Sequence, residues 1–293
     1  MDKLDSARRN AYVELPDEVL LTRDLQTALD ADLLMVSVPS QEWRSLAREL
    51  ARHDLSRVDL VLCMKGLETG TGARLSSVAL EEGIRVRSVS AVLGPGHPQE
   101  LAAGVPTCML VTSGTDEGAR RVAGLLSSDL IRFYRSSDMA GCEIGAAAKN
   151  VVGIAAGVLD GLAFSGLKGA LMARAPQEVA RVVSAAGGDW RSVYGLSHLG
   201  DYEATLFSRL SRNRAFGESI VTGAPFQGLA EGVATSEALE QLAAGLGVEV
   251  PITSAVRDVL RGESGPREAI ERLFGRPSRE EFEGLPEGGR PCL

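Results

Sequence analysis

"DLLMVSVPSQEWRSLARELARHDLSRVDLVLCMKG", residues 32–66, holds the pattern that decides the fold. Its ends, "DLLMVSVP" (32–39) and "VDLVLCMKG" (58–66), are short apolar runs of the kind that fill strands buried on both faces. Between them, "QEWRSLARELARHD" sets Trp43, Leu46 and Leu50 at near-helical spacing, so one helix face is apolar. A strand, an amphipathic helix and a second strand make a βαβ unit, and the connecting helix implies parallel strands.

Outward from this stretch the alternation continues. "RVRSVSAVLGP" (85–95), "TCMLVTS" (107–113) and "LIRFYRS" (130–136) are three further strand candidates, with the helical pattern "DEGARRVAGLLSS" between the last two. After about residue 137 the strand signals stop. Long helical patterns follow: "DMAGCEIGAAAKNVVGIAAGVLDGLAF", "ALMARAPQEVARVVSAAG", "TSEALEQLAAGLG" and "ITSAVRDVLRG". The chain of 293 residues is long enough for two cores. The expected division is therefore an α/β domain over residues 1–137, of the kind that binds dinucleotides, and an all-helical domain over 138–293, the substrate-binding part in the resemblance given below. The Gly-, Pro- and Glu-rich end from about residue 278 is expected to be a frayed tail.

Hydrophobic residues at 44% and charged residues at 24% are the proportions of a folded globular chain. The net charge of -8 disfavours long-range attraction to nucleic acid, while one local basic cluster still suffices for a small phosphorylated ligand. Cys63, Cys108, Cys142 and Cys292 form no metal-ligand spacing and read as buried free thiols of a reducing, cytoplasmic compartment. The opening "MDKLDSARRN" has no apolar signal core, and Lys149 and Asp160 interrupt the longest apolar stretch. Neither secretion nor membrane insertion is expected.

Three loops leave strands directly: "VPSQ" (38–41), "MKGLETGTG" (64–72) and "LGPGHPQEL" (93–101). Gly and Pro at strand exits allow a ligand close to the backbone, and they are equally ordinary ends of strands. No Gly-Lys-Ser/Thr follows "GLETGTG", which excludes a Walker-type loop. Lys65 either snorkels to solvent or points into a cleft. In "SRNRAFG" (211–217) the guanidinium of Arg212 suits a phosphate, with Ser211 and Asn213 beside it; a solvated helix start has the same look. Asp201 follows a glycine and could cap a helix. His53, His97 and His198 show no catalytic or metal-ligand pattern and read as incidental. Lys149 stands in "AAAKNVVGIAAG" (146–157), among small residues that make a thin helix. Burial there would lower its pKa and fit it for acid/base work, unless its head escapes to the rim.

In order, "VPSQ", "KGLETGTG", "GPGHPQELAAGVPT", "GCEIGAAAKNVVGIAAGVLDGL", "GLSHLGD", "SRNRAFG" and "EGVATSEAL" resemble bacterial NAD(P)-dependent glycerol-3-phosphate dehydrogenase across nearly the whole chain. The resemblance implies a Rossmann-like domain followed by a helical substrate and dimerisation domain, NAD or NADP as cofactor and a small phosphorylated three-carbon substrate; a homodimer is expected on base rate alone. It implies hydride transfer between sn-glycerol 3-phosphate and dihydroxyacetone phosphate, feeding phospholipid synthesis. It assigns acid/base chemistry to Lys149 and substrate contacts to Lys65, Gly94, Lys149, Asp201, Ser211, Arg212 and Asn213. Cofactor contacts fall to Lys65, Pro98, Arg212, Leu229 and Glu231, and no metal is implied. The sequence departs from the family in three places. Gly96 and Pro98 replace a small hydroxyl residue and an alanine, and "FSGLKGAL" lacks an asparagine. The family's opening strand, glycine-rich turn and helix do not precede "SARRNAYVELPDEVLLTRDLQTAL", so the α/β domain is expected to be incomplete at its amino end. The alternative reading is a non-catalytic relative that keeps the scaffold as an assembly or regulatory module.

Overall fold

The computed structural model describes residues 7–10, 13–278 and 280–285. After a short helix α1 (Leu25–Leu29), five strands form one sheet: β1 (Leu33–Val36), β2 (Leu55–Leu62), β3 (Val86–Leu93), β4 (Thr107–Ser113) and β5 (Ile131–Ser136). They lie side by side in chain order, and every pair is parallel except β3 with β4. The exception has a local cause. After β3 the chain makes only the short helix α4 (Pro98–Ala102), too little to carry it back across the sheet, so β4 re-enters beside the end of β3.

Helices cover both faces of the sheet. Alternate residues of β2 point opposite ways: Leu60 and Leu62 pack with Trp43 and Leu50 of α2 (Trp43–Leu50) and Leu75 and Val78 of α3 (Leu75–Glu81). Val61 joins Val92, Val111 and the Ala119 and Val122 side chains of α5 (Asp116–Leu126) on the other face. Asp59, fully buried on β2, fixes α5 to the sheet by accepting two hydrogen bonds of 2.7 Å from Arg121 and one of 2.6 Å from Ser88. These contacts make the α/β layer that the alternation of patterns predicts.

From Met139 on, the described residues are helical or irregular. The long α6 (Met139–Gly161) starts under an Asp138 cap and is followed by α7 (Leu167–Ala185), α8 (Arg212–Thr222), α9 (Gly232–Gly245), α10 (Pro251–Leu260) and α11 (Pro266–Phe274). α6 is long and apolar enough to cross a membrane, yet 94% of that stretch is buried inside the protein. It is the central helix, touching the sheet through Cys142 and Ala146 and the other helices on its remaining sides.

Its small residues explain how α8 reaches it. A Cβ on Gly157 would overlap the Arg214 carbonyl oxygen, and one on Gly217 would overlap that of Ile154. On Gly153 it would lie 2.8 Å from Thr205 Cγ2, and on Gly232, at the start of α9, 2.6 Å from the Asn150 carbonyl oxygen. Backbone therefore lies on backbone where these helices meet, as only glycine permits.

Two expectations need correcting. Of the cysteines only Cys142 is buried; Cys63 and Cys108 are half-buried, and Cys292 lies outside the described residues. Much of the expected frayed tail also lies outside them. The part that is described, residues 280–285, turns back onto the helices: Arg174 Nη1 donates to the Glu281 carbonyl at 2.8 Å, and Leu285 packs against the cluster around Val179 and Val183.

Candidate active site

Lys149 and Asn150 leave α6 where the carboxyl ends of β2 and β3 meet the turns that precede α8. The cleft there encloses about 150 Å³ and is lined by Lys65, Lys149, Asn150, Asp201, Thr205 and Arg212, among others. Lys149 is 8% exposed, so its amine does not escape to the rim. Its Nζ lies 2.6 Å from Asp201 Oδ2 and donates to Thr205 Oγ1 at 2.9 Å. Burial pushes the Lys149 pKa down to about 7, the nearby Lys65 ammonium pushes the same way, and Asp201 opposes both.

Lys65 points into the cleft as well. Its Nζ donates to Asp201 Oδ2 at 2.7 Å and to the Gly94 carbonyl at 2.8 Å. Gly94 follows β3 at φ 110, a conformation that side chains rarely adopt, and this turns its carbonyl toward the amine. Asp201 is thus no simple helix cap. One of its carboxylate oxygens is shared by two ammonium groups, and the residue is 1% exposed.

The backbone that presents Asp201 is irregular: a 3₁₀ turn (Leu199–Asp201) runs into a π turn (Glu203–Phe207). π turns concentrate at functional sites because they re-aim side chains. Here the turn lets Thr205 Oγ1 donate to the Asp201 carbonyl at 2.7 Å while accepting from Lys149. His198, read as incidental, is fully buried and holds this segment to α6. Its Nδ1 lies 2.7 Å from the Gly145 carbonyl and its Nε2 2.7 Å from Tyr202 OH. Burial lowers its pKa to about 4, so the ring is neutral; Nδ1–H donates to the carbonyl and Nε2 accepts from the tyrosine.

A chain of amides joins the two halves of the cleft. Asn150 Nδ2 donates to the Lys65 carbonyl at 2.9 Å, Asn213 Nδ2 to Asn150 Oδ1 at 3.0 Å, and Gly232 N to Asn213 Oδ1 at 3.0 Å. Asn213 therefore spends much of its hydrogen-bonding capacity on the scaffold. Ser211 is the N-cap of α8, its Oγ accepting from Arg214 N at 3.3 Å, so the helix-start reading of "SRN" holds for the serine. The Arg212 guanidinium, by contrast, makes no hydrogen bond or ion pair among the described residues and is exposed at the cleft.

On the side of the strand-exit loops, Glu231 Oε1 accepts from Ser40 Oγ at 3.2 Å and thereby ties the start of α9 to the loop after β1. Gly66 abuts Ser40 so closely that a Cβ would overlap the serine side chain, which merges the loops after β1 and β2 into one ledge. Leu229 leaves 52% of its surface exposed nearby. A ledge at the carboxyl ends of parallel strands, with a free guanidinium and an apolar side chain next to it, fits a dinucleotide's phosphates and ring. Pro98 does not join it. It is the exposed first residue of α4, and Gly96 and His97 reach the cleft in its place.

Sequence reading missed three participants. Thr205 and Asn150 acquire roles only through partners far away in the chain. Glu143, 6% exposed on α6, accepts from Ser76 N at 2.9 Å and Arg74 Nη1 at 3.0 Å, tying the start of α3 to the helix that carries Lys149. A larger cavity of about 480 Å³ lies between α6, α7, α10 and α11. Its buried carboxylate, Glu178, is engaged in capping α10 through Ile252 N and Thr253 N, at 2.7 and 3.0 Å. Convergent polar groups and a shifted lysine single out the smaller cleft.

Residues 1–119 match the family model described as NAD-dependent glycerol-3-phosphate dehydrogenase N-terminus, and residues 138–271 match the corresponding C-terminus. The chain is 38% identical over 279 residues to glycerol-3-phosphate dehydrogenase [NAD(P)+] 1 of Salinibacter ruber, covering 91% of this chain and 82% of that one. It is 40% identical over 276 residues to the Deinococcus radiodurans glycerol-3-phosphate dehydrogenase [NAD(P)+], covering 92% and 82%. The crystal structure of glycerol-3-phosphate dehydrogenase from Coxiella burnetii superposes with a TM-score of 0.87 at 26% identity, covering 94% of this chain and 88% of that one. By sequence over both halves and by fold, the chain belongs to the family of NAD-dependent glycerol-3-phosphate dehydrogenases.

Proposed function

We propose that the cleft around Lys149 is the active site, with Lys149 as the acid/base and Arg212 as the anchor of the substrate phosphate. The chain is an NAD(P)-dependent glycerol-3-phosphate dehydrogenase, an oxidoreductase that interconverts dihydroxyacetone phosphate and sn-glycerol 3-phosphate with NAD or NADP. The bound nicotinamide supplies or accepts the hydride. In the direction of reduction, negative charge develops on the carbonyl oxygen of the substrate. The buried Lys149 ammonium stabilises that charge and then delivers its proton to the oxygen. With its pKa held to about 7, the group is matched to both directions near neutral pH.

Asp201 and Thr205 fix the position of Lys149 Nζ, and Lys65 adds a second positive charge on the same side. Arg212 takes the phosphate by paired, charge-assisted hydrogen bonds, using binding energy remote from the reacting carbon to place it. Gly94, Ser211 and Asn213 line and support the substrate side; Lys65, Arg212, Leu229 and Glu231 are the cofactor-side residues of this reading, Arg212 standing between the two ligands. Residues 1–137 and 138–293 serve as the dinucleotide and substrate domains. The product feeds glycerophospholipid synthesis in the cytoplasm, where thiols such as Cys63, Cys108 and Cys142 stay free. A homodimer is the proposed assembly, two-fold pairing being the commonest among soluble enzymes.

The observation that carries this reading is a single carboxylate oxygen shared by two ammonium groups within a cleft that also holds a guanidinium unpaired among the described residues. The test follows oxidation of NADH and of NADPH with dihydroxyacetone phosphate for the parent chain and Lys149→Ala. Turnover in the parent that vanishes in the folded variant is expected. Near-normal rates in Lys149→Ala would remove Lys149 from the chemistry.

A further inference from the structure

Beyond the cleft lies a second buried charge cluster that the reaction does not touch. Near the end of α6, Asp160 receives Lys168 Nζ at 2.6 Å and Arg214 Nη1 at 2.8 Å. All three side chains are largely buried, at 18%, 10% and 13% exposure. A second carboxylate, the more exposed Glu218, also reaches Arg214 Nη1 at 3.0 Å, so Asp160 is the buried anion that the two cations share; such a buried cluster is costly to maintain for stability alone. Each cation also spends a hydrogen bond on the same short piece of backbone. Lys168 Nζ donates to the Leu206 carbonyl at 3.0 Å, and Arg214 Nε donates to the Ser208 carbonyl at 3.2 Å. The Lys168 ammonium further sits 5.1 Å from the Phe207 ring centroid.

Residues 206–208 join the two halves of the site. On one side, the π turn ends at Phe207 and carries Thr205 to the Lys149 amine. On the other, the Ser208 carbonyl accepts from Ser211 N at 3.3 Å, closing the turn that starts α8 and presents Arg212. The Ser208 carbonyl is therefore gripped twice, by the turn itself and by Arg214. Asp160 orients both cations and, through them, fixes where α8 begins. The glycine contacts of α6 with α8 set how near the two helices lie, while this cluster sets the path of the loop between the π turn and Arg212.

We propose that Asp160 is a positioning residue for the phosphate end of the site: with Lys168 and Arg214 it pre-organises the 206–211 turn so that the Arg212 guanidinium stands ready for the substrate's phosphate. The inference rests on the reading of Arg212 as the phosphate anchor. Asp160 acts through Arg212, so its contribution disappears once Arg212 is gone.

The test is a double-mutant cycle on the binding of sn-glycerol 3-phosphate, followed by titration calorimetry without cofactor. Arg212→Ala and Asp160→Asn are each expected to weaken binding about tenfold or more, and the double variant to bind no more weakly than Arg212→Ala within about twofold. Losses that multiply in the double variant, or wild-type affinity in Asp160→Asn, overturn the proposal. Thermal unfolding identifies the folded variants. Should Asp160→Asn not fold, Lys168→Met replaces it in the cycle, because it frees the Leu206 carbonyl while keeping the Asp160–Arg214 pair; the same two outcomes decide. Failure of the parent chain to bind sn-glycerol 3-phosphate would instead refute the reading of the site.

Discussion

Replacing Lys65 by methionine tests the electrostatics of the cleft directly. Lys65 and Lys149 each contact Asp201 Oδ2, at 2.7 and 2.6 Å, which holds the two ammonium nitrogens within roughly 5 Å of one another. At that separation and an effective dielectric near 20, their repulsion is about 3 kcal/mol. One pH unit corresponds to about 1.4 kcal/mol, so the ceiling on the effect is about 2 units. Lys65 is 22% exposed, and solvent screens part of its field; about 1 unit is the expected shift. The sign is fixed. Removing a like charge raises the Lys149 pKa from about 7, and Asp201, freed of one partner, pulls the same way. In the proposed role of Lys149, reduction of dihydroxyacetone phosphate needs the amine protonated, so kcat/KM should fall as pH rises through that pKa. In Lys65→Met the falling limb should move from near pH 7 to about pH 8, while Lys65→Arg, which keeps the charge, should leave it in place. The height of the profile will drop if Lys65 also binds substrate, so the limb position is the measurement that counts. A limb that stays put or moves to lower pH would refute the coupling.

Three other substitutions test the same structure. Lys149→Met should lower kcat by about 10² to 10⁴ in the oxidation assay. Because the folded pKa of Lys149 lies below its ordinary 10.5, the variant should also unfold at a higher temperature than the parent below about pH 7, with the advantage fading as pH rises toward 10.5. Arg212→Ala should raise KM for dihydroxyacetone phosphate roughly 10- to 100-fold, the loss of charged hydrogen bonds worth about 1.5–3 kcal/mol, and an unchanged KM would remove Arg212 from phosphate binding. Gly157→Ala, whose new methyl would overlap the Arg214 carbonyl, should cost at least about 2 kcal/mol in denaturant unfolding by prising α8 from α6; a neutral result would mean that the helices can separate freely.

The parts of the molecule legible from sequence are those fixed by local pattern. The strand-helix-strand rhythm of residues 32–66 became β1, α2 and β2, because side-chain alternation and helical spacing are set within a few residues. Lys149 could be singled out because a charge amid small residues is anomalous wherever it occurs. What stayed hidden depends on partners distant in the chain. Thr205 reads as an ordinary loop residue until a π turn brings its hydroxyl to an amine 56 positions away. His198 reads as incidental because nothing nearby announces the Gly145 carbonyl 53 positions off. The direction of β4 was hidden for a different reason: the run at 107–113 shows a buried strand, and only the shortness of α4 decides which way it runs.

The same division explains the two faces of "SRNRAFG". Its serine and second arginine serve the scaffold, Ser211 by capping α8 and Arg214 by joining Asp160 to the Ser208 carbonyl. Arg212, exposed and unpaired among the described residues, is the one arginine of the motif left for a ligand. The bland reading of that motif therefore holds for Ser211, and the functional reading is the one proposed for Arg212. An anion site of this kind needs them together, because a guanidinium on an untethered turn would have to be ordered by each phosphate that arrives, at a cost in affinity that the neighbouring scaffold residues remove in advance.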